Sequence, residues 1–437
     1  MAAHAHGASR RGPIAVTFSL SRRAVPPGRP GSVWVLARLA AARPPRPGNG
    51  RRLPLNLGLV LDRGGAMAGA PLDHAKRAAC RIVEQMGAED LFSLAVFDGE
   101  VEVIRPAGRV MDRDADQAAI ARIRHGGGTA NLPGGLLRGG QEVRRHAAPG
   151  LANRVLILAG GRAGVDMSGA HLLAAKSGSL AEEGVPVSTV GVGERFDEDL
   201  LLALAEAGRG NYYYLRTPDG IQAALDEELA GLLSVTAQNL RVTARPGAGC
   251  RVTGVLGYEP HTGPEGIILS LPDMCEHEAR TLLLEVVHPA LAAGEHELLH
   301  FNLAYADVLG GSNAVDLFFT VRLPASADPG AQAADFAVIK AVELARAALA
   351  RDRAVEAMDR GEFNAAGRVL RERGEALNGL NAAVPAPDAE IAAEVAELES
   401  LALRMEGLAA GGPKPHRPER DLRKSMRYQS YLRRRGR

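Results

Sequence analysis

Cysteine is scarce. The 437 residues contain three, Cys80, Cys250 and Cys275, and no pair has CxxC spacing. That excludes a disulfide scaffold and a cysteine-rich zinc or iron–sulfur centre. Isolated cysteines of this kind read as small buried apolar side chains in a reducing compartment. Long apolar runs are also missing. Nothing reaches the roughly 18 apolar residues of a membrane span, and the stretch 151–161 is too short and opens polar. Arg10 and Arg11 lead into a short β-like stretch, not an apolar secretory core, so no targeting signal is visible and a cytoplasmic location is expected. Acid is absent from residues 1–52, which hold ten arginines, and sparse in residues 413–437, where ten Lys/Arg face two acids. The middle of the chain compensates, leaving a formal net charge of +1. Balanced bulk charge gives no reason to expect a nucleic-acid partner.

What is present is enough apolar material, 46% of residues, for two or three domains with real cores. Residues 14–20 and 32–39 read as strands, and 40–52, rich in Pro, Gly and Arg, as a loop. From residue 53 the pattern alternates. Strands are predicted at 55–61, 91–97, 155–159, 185–191 and 212–215. Helices are predicted at 72–86, 115–124, 132–146, 171–183, 198–207 and 218–233. Such alternation predicts an α/β domain over 53–233, a mainly parallel sheet with helices on both faces. Between 239 and 325 the apolar period returns to two, with Gly, Pro and Asn in the turns, as in an antiparallel β-sandwich. The strands within 12–52 would complete that sandwich, making the α/β domain an insertion. Residues 331–409 read as a helical hairpin or bundle, interrupted at 359–364 and again at Pro385 and Pro387. Residues 410–437 read as a basic flexible tail.

Asp62 ends the first strand of the α/β domain, at the sheet edge where open α/β folds bind ligands. It leads into Arg63-Gly64-Gly65-Ala66-Met67. Further on come Gly127-Gly128-Thr129-Ala130-Asn131-Leu132 and the strand Val187-Ser188-Thr189-Val190-Gly191-Val192-Gly193. Over residues 53–233 the chain resembles the von Willebrand factor type A (VWA) family. The flanking strands, the following sandwich, the helices and the ending Met426-Arg427-Tyr428-Gln429-Ser430-Tyr431 look like a subset of its bacterial members. The resemblance implies a Rossmann-like fold and a metal-ion-dependent adhesion site, in which an Asp, two hydroxyls, a Thr and a second Asp hold Mg²⁺ or Mn²⁺. Asp62 and Thr129 keep their roles in that pattern. Gly64 and Ala66 stand where the hydroxyls belong, and Gly160 where the second aspartate belongs. Mg²⁺ wants six oxygens in tight octahedral geometry, so the site is expected to be degenerate and to hold no cofactor. Restoring the ligands with Gly64→Ser, Ala66→Ser and Gly160→Asp is expected to restore the ion. Asp98 and Asp166 are the candidate substitutes, and Arg63 and Arg162 are candidates to neutralise Asp62 without an ion.

Other motifs are weaker. Gly126-Gly127-Gly128 lacks the Gly-Lys-Ser/Thr of a phosphate loop. His296 and His300 fall on a predicted strand, where a spacing of four does not make a helical metal pair. Tyr212-Tyr213-Tyr214 offers an aromatic patch, with at least one ring expected in the core. No nucleophile elbow is present. The expectation is a non-enzymatic scaffold that recruits a protein partner through the loops after Leu61, Gly128 and Ala159. The alternatives are a metal-dependent regulatory subunit of an enzyme complex, or attachment to nucleic acid or an anionic membrane through the basic tail. The tail contacts would be Arg427, Tyr428, Tyr431, Arg433, Arg434 and Arg435.

Overall fold

The computed structural model describes residues 12–41, 52–308, 313–410 and 416–435. The chain opens with two strands, β1 (Ile14–Leu20) and β2 (Gly31–Ala41). Along β2, Val33, Val35, Ala37, Leu39 and Ala41 are buried in strict alternation, the mark of a sheet with one dry face.

The α/β domain follows. Its elements are β3 (Leu55–Asp62), α1 (Ala70–Gln85), β4 (Leu91–Phe97), β5 (Val101–Arg109), α2 (Arg113–Ala121), α3 (Leu132–Arg144), β6 (Ala152–Ala159), α4 (Met167–Glu182), β7 (Val187–Val192), α5 (Glu198–Ala207), β8 (Arg209–Leu215) and α6 (Ile221–Leu233). The strand order is β5-β4-β3-β6-β7-β8, parallel throughout except for the edge strand β5. Every residue of β3 and β6 is buried, because helices cover both faces, and this is why both strands read as apolar runs. On one face α3 approaches very closely: a side chain begun at Gly139 would come within 2.3 Å of Val60. The sequence reading omitted β5. Its Pro106 and Gly108 break the apolar alternation, and an edge strand tolerates both.

The third region runs β9 (Val235–Pro246), β10 (Arg251–Leu256), β11 (His261–Gly263), β12 (Gly266–Ser270), β13 (Met274–Cys275), β14 (Ala279–His288), β15 (Gly294–Asp307) and β16 (Asn313–Ala325). One sheet is β1-β2-β14-β10; the other is β11-β12-β9-β15-β16, with β13 on β9. Phe18 of β1 packs edge-on against Phe301 of β15, ring centroids 5.0 Å apart, and meets Phe319 of β16 at 5.4 Å. The sandwich core is therefore built from both sides of the α/β domain, which sits as an insertion between β2 and β9.

Four helices close the described chain: α7 (Phe336–Asp359), α8 (Phe363–Ala382), α9 (Ala389–Ala410) and α10 (His416–Arg434). Asp335 caps α7 through its carboxylate, and Arg351 and Glu394 form a buried ion pair between α7 and α9. None of the helices in the described residues is long and apolar enough to cross a membrane.

The last helix corrects the sequence reading. Residues 416–434 are not a flexible tail. Leu422, Met426 and Tyr431 are buried, and α10 packs on α7 and on β8 of the α/β domain. Four of the arginines that suggested a solvated tail are paired. Arg423 meets Glu198, Asp199 and Asp359, Arg427 meets Asp199 and Asp352, Arg433 meets Glu390 and Glu394, and Arg434 meets Glu206. Their acidic partners lie elsewhere in the chain, so α10 viewed alone looks unneutralised.

Candidate functional site

The loops after β3, β6 and β7 and the segment before α3 converge at the carboxyl edge of the central sheet. Asp62 lies at their centre, fully buried. Its Oδ1 accepts the backbone N–H of Gly64 at 2.8 Å, and its Oδ2 accepts those of Gly160 at 3.0 Å and Gly161 at 2.9 Å. Burial pushes the Asp62 carboxyl above the usual aspartate range; the three backbone donors oppose this, and the nearby charge of Asp98 adds to it. The carboxylate thus clamps the β3 loop to the β6 loop.

The remaining expected positions fall around it. Gly64 is extended and precedes a single 3-10 turn, Gly65–Met67, that contains Ala66. Thr129 stands exposed at the rim. A side chain at Gly160 would have to displace Met67, since a Cβ there would sit 2.5 Å from Sδ of that buried residue. The expectation that Gly160→Asp could simply restore a ligand is therefore corrected: Met67 fills that space.

The auxiliary residues are also reassigned. Arg63 does not neutralise Asp62. Its Nε meets Asp98 at 3.2 Å and its Nη1 meets Glu102 at 2.7 Å. Asp98 is held further by the N–H of Glu100 at 2.9 Å. Asp166 caps α4 by accepting from Gly169 at 2.8 Å and does not line the cleft. Among the described residues, no group of three or more His, Cys, Asp or Glu is placed to hold a metal.

A cleft of about 490 Å³ opens above Asp62, lined by the loop glycines, Ala66, Thr129, Ala130 and three arginines: Arg162, Arg195 and Arg420. Its side-chain oxygens come from Asp62 and Thr129. The sequence reading named Arg162 and missed the other two. Arg195 follows β7, so the rule that ligands bind beyond strand ends could have found it. Arg420 arrives on α10, and no local signal announces it.

Beside this cleft α10 is anchored. Lys424 is buried, donates to the Phe196 carbonyl at 2.7 Å and to Glu198 at 2.8 Å, and lies 3.4 Å from the Phe196 ring centroid. Burial alone would raise the Glu198 carboxyl, but Lys424 and Arg423 outweigh it and hold the group below the usual glutamate range. The tyrosine run is not an exposed patch. Tyr212 and Tyr213 are buried, and Tyr212 and Tyr214 pack against Tyr428, with Tyr431 also on Tyr212. Arg435 lies over the Tyr258 and Tyr431 rings. The expected tail contacts thus serve the fold. His296 and His300 lie on β15, where His296 meets the Ala292 carbonyl and His300 meets Glu297. The three cysteines are free, and only Cys250 is buried.

Residues 56–227 match the family model described as the von Willebrand factor type A domain. The chain is 29% identical over 272 residues to the protein sll0103 of Synechocystis sp., covering 60% of this chain and 64% of that one. It is 24% identical over 188 residues to YfbK of Escherichia coli, covering 43% of this chain and 32% of that one. It therefore spans less than two thirds of either relative. Two solved structures share the fold over nearly its whole length. One is a von Willebrand factor type A protein from Catenulispora acidiphila, with TM-score 0.67, 16% identity, and 90% of this chain and 97% of that one covered. The other is the ArnB paralog VWA2 from Sulfolobus acidocaldarius, with TM-score 0.62, 17% identity, and 96% and 98% covered. The family match over residues 56–227 and the sheet order identify a VWA domain in this chain, set into a β-sandwich and followed by helices.

Proposed function

We propose that this chain is a non-catalytic binding and assembly protein whose VWA sheet edge engages a protein partner without a bridging divalent ion. The observation that carries the reading is the state of Asp62. Both of its oxygens accept backbone N–H groups, and Met67 fills the space beside Gly160. A hard, strongly hydrated ion would find one engaged carboxylate and the Thr129 hydroxyl, against a need for six oxygens. The residues present do not fit the metal the family implies, and the site reads as a degenerate adhesion site. The clamp keeps the loops in place by backbone hydrogen bonds instead. Attachment of nucleic acid or membrane through the C-terminal basic residues is disfavoured, because Arg427, Arg433 and Arg434 are already ion-paired.

Capture of partners from the native host tests this. Gly65 has open space at its Cβ, so Gly65→Trp plants a large ring in the cleft without disturbing the core. Capture is expected to be equal in EDTA and in Mg²⁺, and to fall at least tenfold with Gly65→Trp. Capture that requires a divalent ion, or that ignores Gly65→Trp, overturns the reading.

A further inference from the structure

Three guanidinium groups face one cleft and, among the described residues, have no acidic partner. Arg162 comes from the loop after β6, Arg195 from the loop after β7, and Arg420 from α10. All three are exposed, and among the described residues none makes a side-chain hydrogen bond or ion pair. The contrast with their neighbours is sharp. Three residues along α10, Arg423 touches three carboxylates, and the next residue, Lys424, is bound to Glu198. Like charges drawn from three separate elements to one concavity repel each other and raise the local positive potential. An anion placed between them relieves that repulsion.

The kind of anion follows from charge and geometry. Within the lining of this cleft three arginines face one carboxylate, Asp62, a difference of +2 (3 − 1). Arg162 and Arg420 also border a neighbouring pocket with Glu194, Asp197 and Glu419 and with Glu198, Asp199 and Asp359, the last three held by Arg423 and Lys424. Asp62 itself is turned inward onto three backbone donors, so it does not occupy the guanidinium forks. A side-chain carboxylate brings a single charge and two oxygens, enough for one bidentate fork, and leaves the other guanidinium groups without acceptors. A phosphoryl group on a side chain carries about −1.5 to −2 at pH 7 and three strong acceptor oxygens, which matches both the charge and the number of forks. Arginine, unlike lysine, presents the planar donor pair that suits such oxygens. The cleft, about 490 Å³, is larger than a phosphoryl group needs and falls in the range of sites that enclose a side chain with its flanking backbone.

We propose that this cleft binds a phosphorylated serine or threonine side chain of a partner protein, with Arg162, Arg195 and Arg420 holding the dianion in place of a metal ion. The proposal rests on the reading of the same cleft as the partner-binding face. It also gives α10 a second role, since docking of that helix completes the arginine set.

Fluorescence anisotropy on the full chain in EDTA tests it, with three labelled peptide pools of random flanks centred on phosphoserine/phosphothreonine, on serine/threonine, or on glutamate. The phosphorylated pool is expected to bind saturably and at least tenfold more tightly than the glutamate pool, with orthophosphate competing and the unmodified pool not binding. The double variant Arg162→Gln/Arg195→Gln should lose at least tenfold in affinity with an unchanged melting temperature, since neither side chain holds the fold together. Arg77→Gln, which removes one positive charge from an exposed position on α1, should bind as wild type. Equal binding of the glutamate pool, or phosphopeptide binding that survives the double variant or falls equally with Arg77→Gln, overturns the proposal. If the phosphorylated pool fails to bind while Gly65→Trp-sensitive capture persists in EDTA, this inference is wrong and the binding-face reading stands. Capture that ignores Gly65→Trp removes the reading on which this one rests, whatever the peptides do.

Discussion

Tyr431→Ala is expected to destabilise the protein by about 3–5 kcal/mol, the usual cost of emptying a buried aromatic site. The side chain is 1% exposed. Its ring meets Tyr212 edge-on at 5.8 Å, and its hydroxyl accepts the Tyr212 backbone N–H at 3.1 Å. The substitution therefore opens a cavity and strands a buried donor together. Tyr431→Phe keeps the ring and loses only the acceptor, so about 1 kcal/mol is expected. Urea unfolding followed by circular dichroism separates the two. A loss below about 1 kcal/mol for Tyr431→Ala, which surface positions typically show, would mean that α10 is not docked on the α/β domain.

Asp62→Ala is the second change with a large expected effect. It leaves the N–H groups of Gly64, Gly160 and Gly161 without their acceptor, two of them on buried residues. Hydrogen bonds to a charged group contribute about 1.5–3 kcal/mol each, and stranded buried donors cost a similar amount. Their shared geometry makes the sum less than additive, so a loss of about 3 kcal/mol is expected at neutral pH. Asp62→Asn should recover part of it, since one amide oxygen still accepts while the amide nitrogen faces donors. These losses should be the same in EDTA and in Mg²⁺. A loss seen only in the presence of Mg²⁺ would place an ion, not the backbone clamp, at Asp62.

Much of this was legible from residue order. The apolar runs of β3 and β6 announced a sheet covered on both faces, and Asp62 at the end of β3 marked the edge where the loops of the candidate site converge. The change to period two near residue 239, with two orphan strands at the beginning, was enough to suggest a sandwich built from both flanks. What escaped the sequence depended on partners remote in the chain. The charge of α10 looked like a solvated tail because the acids that neutralise it stand at 198–199, 352–359 and 390–394. Arg63 was assigned to Asp62 by proximity in sequence, whereas the β4–β5 turn brings Asp98 and Glu102 closer to it. The lost ligand at Gly160 was visible, but its consequence was not, because only packing reveals that Met67 has taken the space.

That space bears on how the site could be rebuilt. Gly64→Ser and Ala66→Ser add hydroxyls, but Gly160→Asp collides with Met67 unless Met67 is shortened as well, for example to Ala. Calorimetric titration of the unmodified full chain with Mn²⁺ is the decisive measurement. No saturable heat is expected below about millimolar ion, the range of the weakest extracellular calcium modules. Saturable binding in the micromolar range, lost with Asp62→Asn or Thr129→Ala, would show that the sheet edge holds a divalent ion after all and that the metal-free reading is wrong.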